Sequence, residues 1–190
     1  MPNIVIVYHS GYGHTKKVAD AVLGGATDAG ANVKLIAVGE LDDAGWAELD
    51  AADAIVFGAP TYMGGPSADF KKFADASSKP WFAQKWKDKI AAGFTNSAHM
   101  NGDKFLTISY FVTLAMQHGM VWVGLGLPDG NGRSTGSDAE LNRLGAYAGA
   151  MAQSNSDQGL EGMKDSDLRT AASLGERVAR QVALWKGTGL

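Results

Sequence analysis

Ile4-Val5-Ile6-Val7-Tyr8-His9-Ser10-Gly11-Tyr12-Gly13-His14-Thr15-Lys16-Lys17-Val18-Ala19 is the stretch that decides the fold. Four β-favouring apolar residues run into a short polar turn punctuated by glycine. From His14 the apolar spacing becomes helical, through Val18, Ala19, Val22, Leu23 and Ala26. A buried strand, a tight loop and an amphipathic helix in that order make half of a βαβ unit. The loop places the backbone N–H groups of Gly11 to Thr15 at a helix N-terminus, with the hydroxyls of Ser10 and Thr15 nearby. Unpaired amides and the helix dipole both favour an anion there, so the loop reads as a phosphate site. It is neither a dinucleotide fingerprint nor a P-loop, since G-x-G-x-x-G and G-x-x-x-x-G-K-[ST] are both absent.

Outward from this stretch, strand and helix patterns alternate. Val33 to Val38 reads as a second strand after Gly30 ends the first helix, and Asp42 to Asp53 as a short helical stretch. Ala54 to Ala59 is a third strand, stopped by Pro60, and helical spacing covers Ala68 to Ala76. Ile90 to Thr95 reads as a fourth strand, Lys104 to His118 as a helix and Met120 to Gly124 as a fifth strand. The segment from Leu127 to Gly136 is irregular, and a last helix runs from Asp165 to Lys186. The expected fold class is α/β: a doubly wound five-stranded parallel sheet with helices on both faces, over a single domain spanning 1–190.

Composition removes several classes of function. The net charge of −3 gives no basic field, so no nucleic-acid partner is expected. The absence of cysteine excludes disulfides, thiolate metal sites and thiol catalysis. Asp103, Asp129 and Asp138 have no metal-ligand spacing, so no metal is expected. No apolar run approaches ~18 residues and no signal peptide opens the chain, so no membrane partner is expected and the expected location is cytoplasmic. The 25 glycines suit tight turns around a ligand.

In parallel sheets of this kind a ligand sits beyond the carboxyl ends of the strands. Ser10 to Thr15 follows the first strand, Pro60-Thr61-Tyr62-Met63-Gly64 the third, and Asn96-Ser97-Ala98-His99-Met100-Asn101 the fourth. Three loops rich in Gly, Asn, Ser, Thr and aromatic residues thus converge on one end of the sheet.

The segment Tyr8-x-Ser10-x-Tyr12-Gly13-His14, the segment Phe57-Gly58-Ala59-Pro60-Thr61, and the pair Thr113-Leu114-Ala115 and His118-Gly119-Met120 together resemble the WrbA-type NAD(P)H:quinone oxidoreductases, a flavodoxin-like family of FMN enzymes. The resemblance covers the first two-thirds of the chain and fades after Gly126. It implies a flavodoxin-like fold, FMN as cofactor and NAD(P)H as electron donor. Ser10, Gly11, Tyr12, Gly13, His14 and Thr15 would bind the FMN phosphate. Pro60, Thr61, Tyr62, Met63 and Gly64 would lie along the isoalloxazine. Asn96, Ser97, Ala98, His99, Met100 and Asn101 would hold the ribityl chain and pyrimidine side. By the same resemblance His118 would stand at the cavity edge near the flavin. Trp81 and Tyr12 would pack a flat quinone or nicotinamide over the ring, so His118, Tyr12 and Trp81 are the expected catalytic residues. The chemistry would be a ping-pong transfer to a quinone-like small molecule in a homodimer or homotetramer.

The chain also departs from that family. Ala98, His99 and Met100 replace a loop dominated by glycine and threonine, the insertion between the second and third strands is missing, and Met151 to Asn155 replaces a glycine-rich segment. His118 also reads as a helix-closing residue before Gly119, and Trp81 and Trp86 as core or interface anchors. Other readings remain: a flavodoxin-type electron carrier, a reductase for which FMN is a dissociable substrate, and a flavin-free binder. The balance of 17 basic and 20 acidic residues argues against an acidic carrier.

Overall fold

The structure is a computed structural model that describes residues 1–187; the last three residues of the expected 1–190 domain lie outside them. Its frame is a parallel sheet built from β1 (Asn3–Tyr8), β2 (Asn32–Ala37), β3 (Ala54–Tyr62), β5 (Ile90–Ser97) and β6 (Val121–Trp122) in the order β2-β1-β3-β5-β6. A two-residue strand, β4 (Gly65–Pro66), folds back antiparallel on the end of β3. The helices are α1 (His14–Asp28), α2 (Asp43–Ala51), α3 (Ala68–Ala76), α4 (Ser78–Phe82), α5 (Lys104–Gln117) and α6 (Asp165–Trp185).

Period-two alternation explains why helices cover both faces. Ile4, Ile6 and Val56 pack with Val18, Val22, Leu174 and Val178, under α1 and α6. Val5, Val7, Ile55 and Phe57 pack on the other face with Phe70, Phe73, Trp86 and Phe111, under α3 and α5.

The fifth strand differs from expectation. The sequence predicts one strand over Met120 to Gly124, but two short pieces share that position. β6 pairs with the amino end of β5 at Ile90 and Ala91, and β7 (Ala150–Gln153) pairs in parallel with its carboxyl end, from Phe94 to Ser97. The chain between them leaves the sheet and returns. Its neck is closed by the indole N–H of Trp122, which donates to the Ala148 carbonyl at 2.8 Å. Inside the excursion Arg143 makes a fully buried two-point pair with Asp167 at the start of α6, both contacts 2.8 Å. A buried pair of this geometry fixes the excursion because neither charge has water to fall back on. Among the described residues no helix is long and apolar enough to cross a membrane.

His118 closes α5 at the amino end of the sheet. Its ring stacks on Trp86 with centroids 4.2 Å apart, and its Nε2 meets the Ser77 hydroxyl at 2.9 Å. Burial pushes its pKa down to about 4. The neutral ring is therefore the folded form, while the unfolded chain takes up a proton near pH 6.5. The unfolded state binds more protons between these values, so stability contributed here is complete above pH 6.5 and falls towards pH 4. The loss is expected to be roughly 3 kcal/mol. In urea titrations His118→Gln should be the weaker fold at pH 7, with the gap narrowing as pH falls to 4.5. A gap independent of pH would contradict this.

Candidate active site

Four loops meet beyond the carboxyl edge of the sheet and enclose a cleft of about 800 Å³, within the range usual for small-molecule sites. The first wall is the turn from β1 into α1. Gly13 caps α1 at φ 88, a left-handed conformation that a side chain would strain. Gly13 has no side chain to cap the helix with, and Ser10 Oγ accepts the Lys16 N–H at 3.1 Å instead. The amides of His14 and Thr15 precede the first intrahelical donor, the Lys17 N–H on the Gly13 carbonyl, and remain open to a ligand.

The second wall is the β3–β4 hairpin, whose two-residue tip, Met63 and Gly64, has φ of 49 and 80. Both tip residues must be left-handed in this kind of turn, and methionine adopts that conformation at a cost. The hairpin is anchored below by buried hydroxyls. Thr95 Oγ1 donates to the Ala59 carbonyl at 2.7 Å, so its single proton is committed. Thr61 must then donate to Thr95, and Thr107 to Thr61, each at 2.8 Å. This relay ties β3, β5 and α5 together beneath the cleft. Thr61→Val is expected to cost about 1–3 kcal/mol, since it leaves buried partners unsatisfied. Thermal unfolding of the apoprotein measures it, and an unchanged midpoint would contradict the relay.

The third wall is the loop after β5. Asn96 is buried; its Nδ2 donates to Ser154 Oγ at 2.7 Å, while its Oδ1 has no partner among the described residues. Such an orphaned acceptor beside a cleft suits a ligand hydroxyl or N–H. The fourth wall was not foreseen from sequence. Ser154, Asn155, Ser156 and Gln158 follow β7 and line the same cleft. This segment also leans on the first wall, with Lys17 Nζ donating to the Leu160 carbonyl at 2.7 Å.

Of the residues singled out in the sequence, Ser10, Gly11, Tyr12, His14, Thr15, Pro60, Thr61, Tyr62, Met63, Gly64, Asn96, Ser97, Ala98 and His99 line this one cleft. Gly13 shapes the first loop without lining it, and Met100 and Asn101 stand exposed in the third loop. His118 and Trp81 are not brought to the cleft. His118 is buried against Trp86 and Ser77, and Trp81 is half-exposed on α4, the helix that precedes β5 and so lies at its amino end. The resemblance suggested them, and within this chain both stand at the ends of helices that point away from the carboxyl edge.

A parallel sheet in the order β2-β1-β3-β5-β6, with a phosphate-type turn after β1 and a cleft over the carboxyl edge, defines a flavodoxin-like mononucleotide-binding protein. More narrowly, the chain belongs to the NADPH-dependent FMN reductase family, whose model matches residues 2–127. It is of the WrbA type within the flavodoxin-like FMN oxidoreductases. It is 48% identical over 180 residues to Flavodoxin FldP of Pseudomonas aeruginosa, covering 95% of this chain and 96% of that one. It is 32% identical over 201 residues to an NAD(P)H dehydrogenase (quinone) of Archaeoglobus fulgidus, covering 94% and 96%. Among solved structures it resembles the flavodoxin, WrbA-like protein from Agrobacterium tumefaciens, with a TM-score of 0.77 and 51% identity over 97% of this chain and 99% of that one.

The residues present fit FMN, the cofactor of the family, with NAD(P)H as donor. The open amides at the start of α1 suit a phosphate dianion. Ser154, Ser156 and the orphaned Asn96 Oδ1 suit a polyhydroxyl chain, and Pro60, Tyr62 and Met63 offer an apolar edge to a flat ring.

Proposed function

We propose that this chain carries electrons from NAD(P)H to a quinone-like small molecule, with FMN held in the cleft and each partner entering the same open face in turn. The carrying observation is the state of Tyr12 and Tyr62. Both line the cleft, yet Tyr12 is 82% and Tyr62 42% exposed. They flank the mouth without closing it, which leaves room for a second flat ring. FMN supplies a centre that accepts a hydride and returns two electrons; the protein supplies position and charge. The α1 N-terminus would hold the phosphate, and the hairpin and the third loop would frame the ring. Tyr12 would stack on the incoming ring and is the catalytic residue retained within the cleft of one chain. His118 and Trp81 enter no step of this mechanism.

Steady-state kinetics test the proposal, with NADPH and a benzoquinone varied together against the FMN-loaded protein. Parallel double-reciprocal lines support alternate use of one face, and intersecting lines contradict it. Tyr12→Ala should raise KM for both partners while leaving FMN bound. The same proposal includes a homodimer or homotetramer, supported by the exposed Trp81 and Phe82 as apolar anchors, which sedimentation would check.

A second reading is favoured by the 48% identity to a protein named flavodoxin. There the same cleft would pass electrons to a protein partner, and the exposed apolar rim of Tyr12, Met63 and Met100 would be the docking edge. Reduction of the bound flavin by NADPH at a catalytically useful rate separates the two.

A further inference from the structure

The third loop carries an arrangement that the reading above does not use. Five successive carbonyls, from Ser97 to Asn101, accept hydrogen bonds from the protein itself. Ser97 O accepts from the Ser154 amide at 3.1 Å and Ala98 O from Gln153 Nε2 at 3.1 Å. The carbonyls of His99, Met100 and Asn101 all accept from Lys104 Nζ, the last two at 3.0 and 3.3 Å. Lys104 is fully buried at the first position of α5. None of the five peptides is cis, so in each the N–H of the next residue points opposite to the carbonyl. The amides of Ala98 and His99 are accordingly turned away from Ser154 and Gln153, those of Met100, Asn101 and Gly102 away from Lys104, and none donates to any described residue. Ala98, His99 and Gly102 line the cleft. Lys104 thus holds three carbonyls of this loop and the segment after β7 the other two, which leaves the N–H ends unpaired and open to an anion.

We propose that Lys104 is a positioning residue that sets this loop as an anion-selective nest, so that the cleft holds reduced FMN, with its negatively charged pyrimidine edge, more tightly than oxidised FMN. The inference rests on FMN occupying this cleft, as argued above. Preorganised amides gain most where negative charge develops, and they require no reorganisation at that moment. A second brace acts on the same loop. Gln153, whose side chain holds Ala98 O, donates its own backbone N–H to Asp167 at 2.9 Å, and its Oε1 accepts from Arg143 Nη2 at 3.2 Å. Burial lowers the Lys104 ammonium to about 8; Asp167 opposes the shift and Arg143 adds to it. The ammonium is therefore still charged at neutral pH.

The test measures dissociation constants of oxidised and of chemically reduced FMN for the wild-type chain, Lys104→Gln, Lys104→Met and Lys104→Arg. In the Gln and Met variants the constant for reduced FMN should rise at least about tenfold more than that for oxidised FMN, equivalent to about 30 mV off the two-electron potential. Lys104→Arg should restore most of the ratio. Equal weakening of both forms, or none, overturns the proposal, because a purely structural lysine would not discriminate between redox states. Amide exchange in the unmodified protein gives a measurement that does not depend on variants folding. The amides of 98–102 should exchange fast without FMN and become protected with it. Protection already present in the apoprotein overturns the proposal. If FMN fails to bind the wild-type chain at all, the reading of the cleft fails; if it binds and only the redox ratio is unmoved, Lys104 alone is misassigned.

Discussion

Gly175→Ala is expected to lower stability by about 3 kcal/mol, the upper end of the usual overpacking cost, and the melting midpoint by roughly 6–12 °C. A β-carbon at Gly175 would lie 2.0 Å from the Val22 carbonyl oxygen, and one at Gly25 would lie 1.9 Å from the Ala172 carbonyl oxygen. α1 and α6 therefore touch backbone to backbone, through one glycine on each helix. Two effects compete in the substitution. Alanine gains about 1 kcal/mol of helix propensity over glycine. The overlap is with backbone rather than with the end of a flexible side chain, so the helices must part and strip contacts from the Leu174 and Val178 cluster; the overlap wins. Gly24, one residue from Gly25 but with open space around it, is the control. Gly24→Ala should stabilise by up to about 1 kcal/mol. A Gly175→Ala protein as stable as wild type would show that the two helices can slide apart freely.

The largest expected effect on ligand binding comes from Ser10→Asp. In the unliganded chain the new carboxylate would take over the role of Ser10 Oγ, accepting the Lys16 amide at the N-terminus of α1. An acidic group there complements the helix dipole, so the apoprotein should be as stable as wild type or more so by about 0.5 kcal/mol. The same carboxylate would stand where the phosphate must sit. Two like charges about 4 Å apart at the edge of a protein repel by about 4 kcal/mol, which is several hundredfold in affinity. FMN binding should thus fall by at least about a hundredfold while the melting midpoint holds or rises. Opposite signs on binding and stability separate loss of the anion site from damage to the fold. A variant that keeps wild-type FMN affinity would place the phosphate elsewhere.

The centre of the sheet was legible because β1, β3 and β5 are short runs rich in Ile, Val, Phe and Ala buried on both faces. The phosphate turn was legible because strand, glycine turn and helical spacing follow each other without a gap. The split fifth strand was not. Ala150-Met151-Ala152-Gln153 carries no β-branched residue, and its strand pairing comes from β5 and from the anchored excursion rather than from local preference. The fourth wall of the cleft was missed with it, because Ser154 to Gln158 only becomes a ligand loop once β7 is seen to end there. Lys104 could have been found. It heads the same helical stripe as Thr107, Ile108, Phe111 and Leu114, so period 3.6 sends it inward, and a lysine on that stripe demands acceptors. Asp167 follows the same logic at the head of the stripe through Ala171, Leu174 and Val178. No local pattern marks Arg143 as its partner. His118 and Trp81 rested on the resemblance alone, and within one chain the topology puts their helix ends at the amino edge.

The central claim is that this cleft binds FMN and that NAD(P)H reduces it there for delivery to a small acceptor. The most direct test titrates FMN into purified apoprotein, then adds NADPH or NADH anaerobically and follows the flavin absorbance, with a benzoquinone added last. Saturable binding, bleaching by nicotinamide and full recovery on one equivalent of quinone are the predicted results. Flavin that binds but is not bleached by either nicotinamide would contradict the oxidoreductase and leave a carrier; a chain that binds no flavin would contradict the account of the cleft itself.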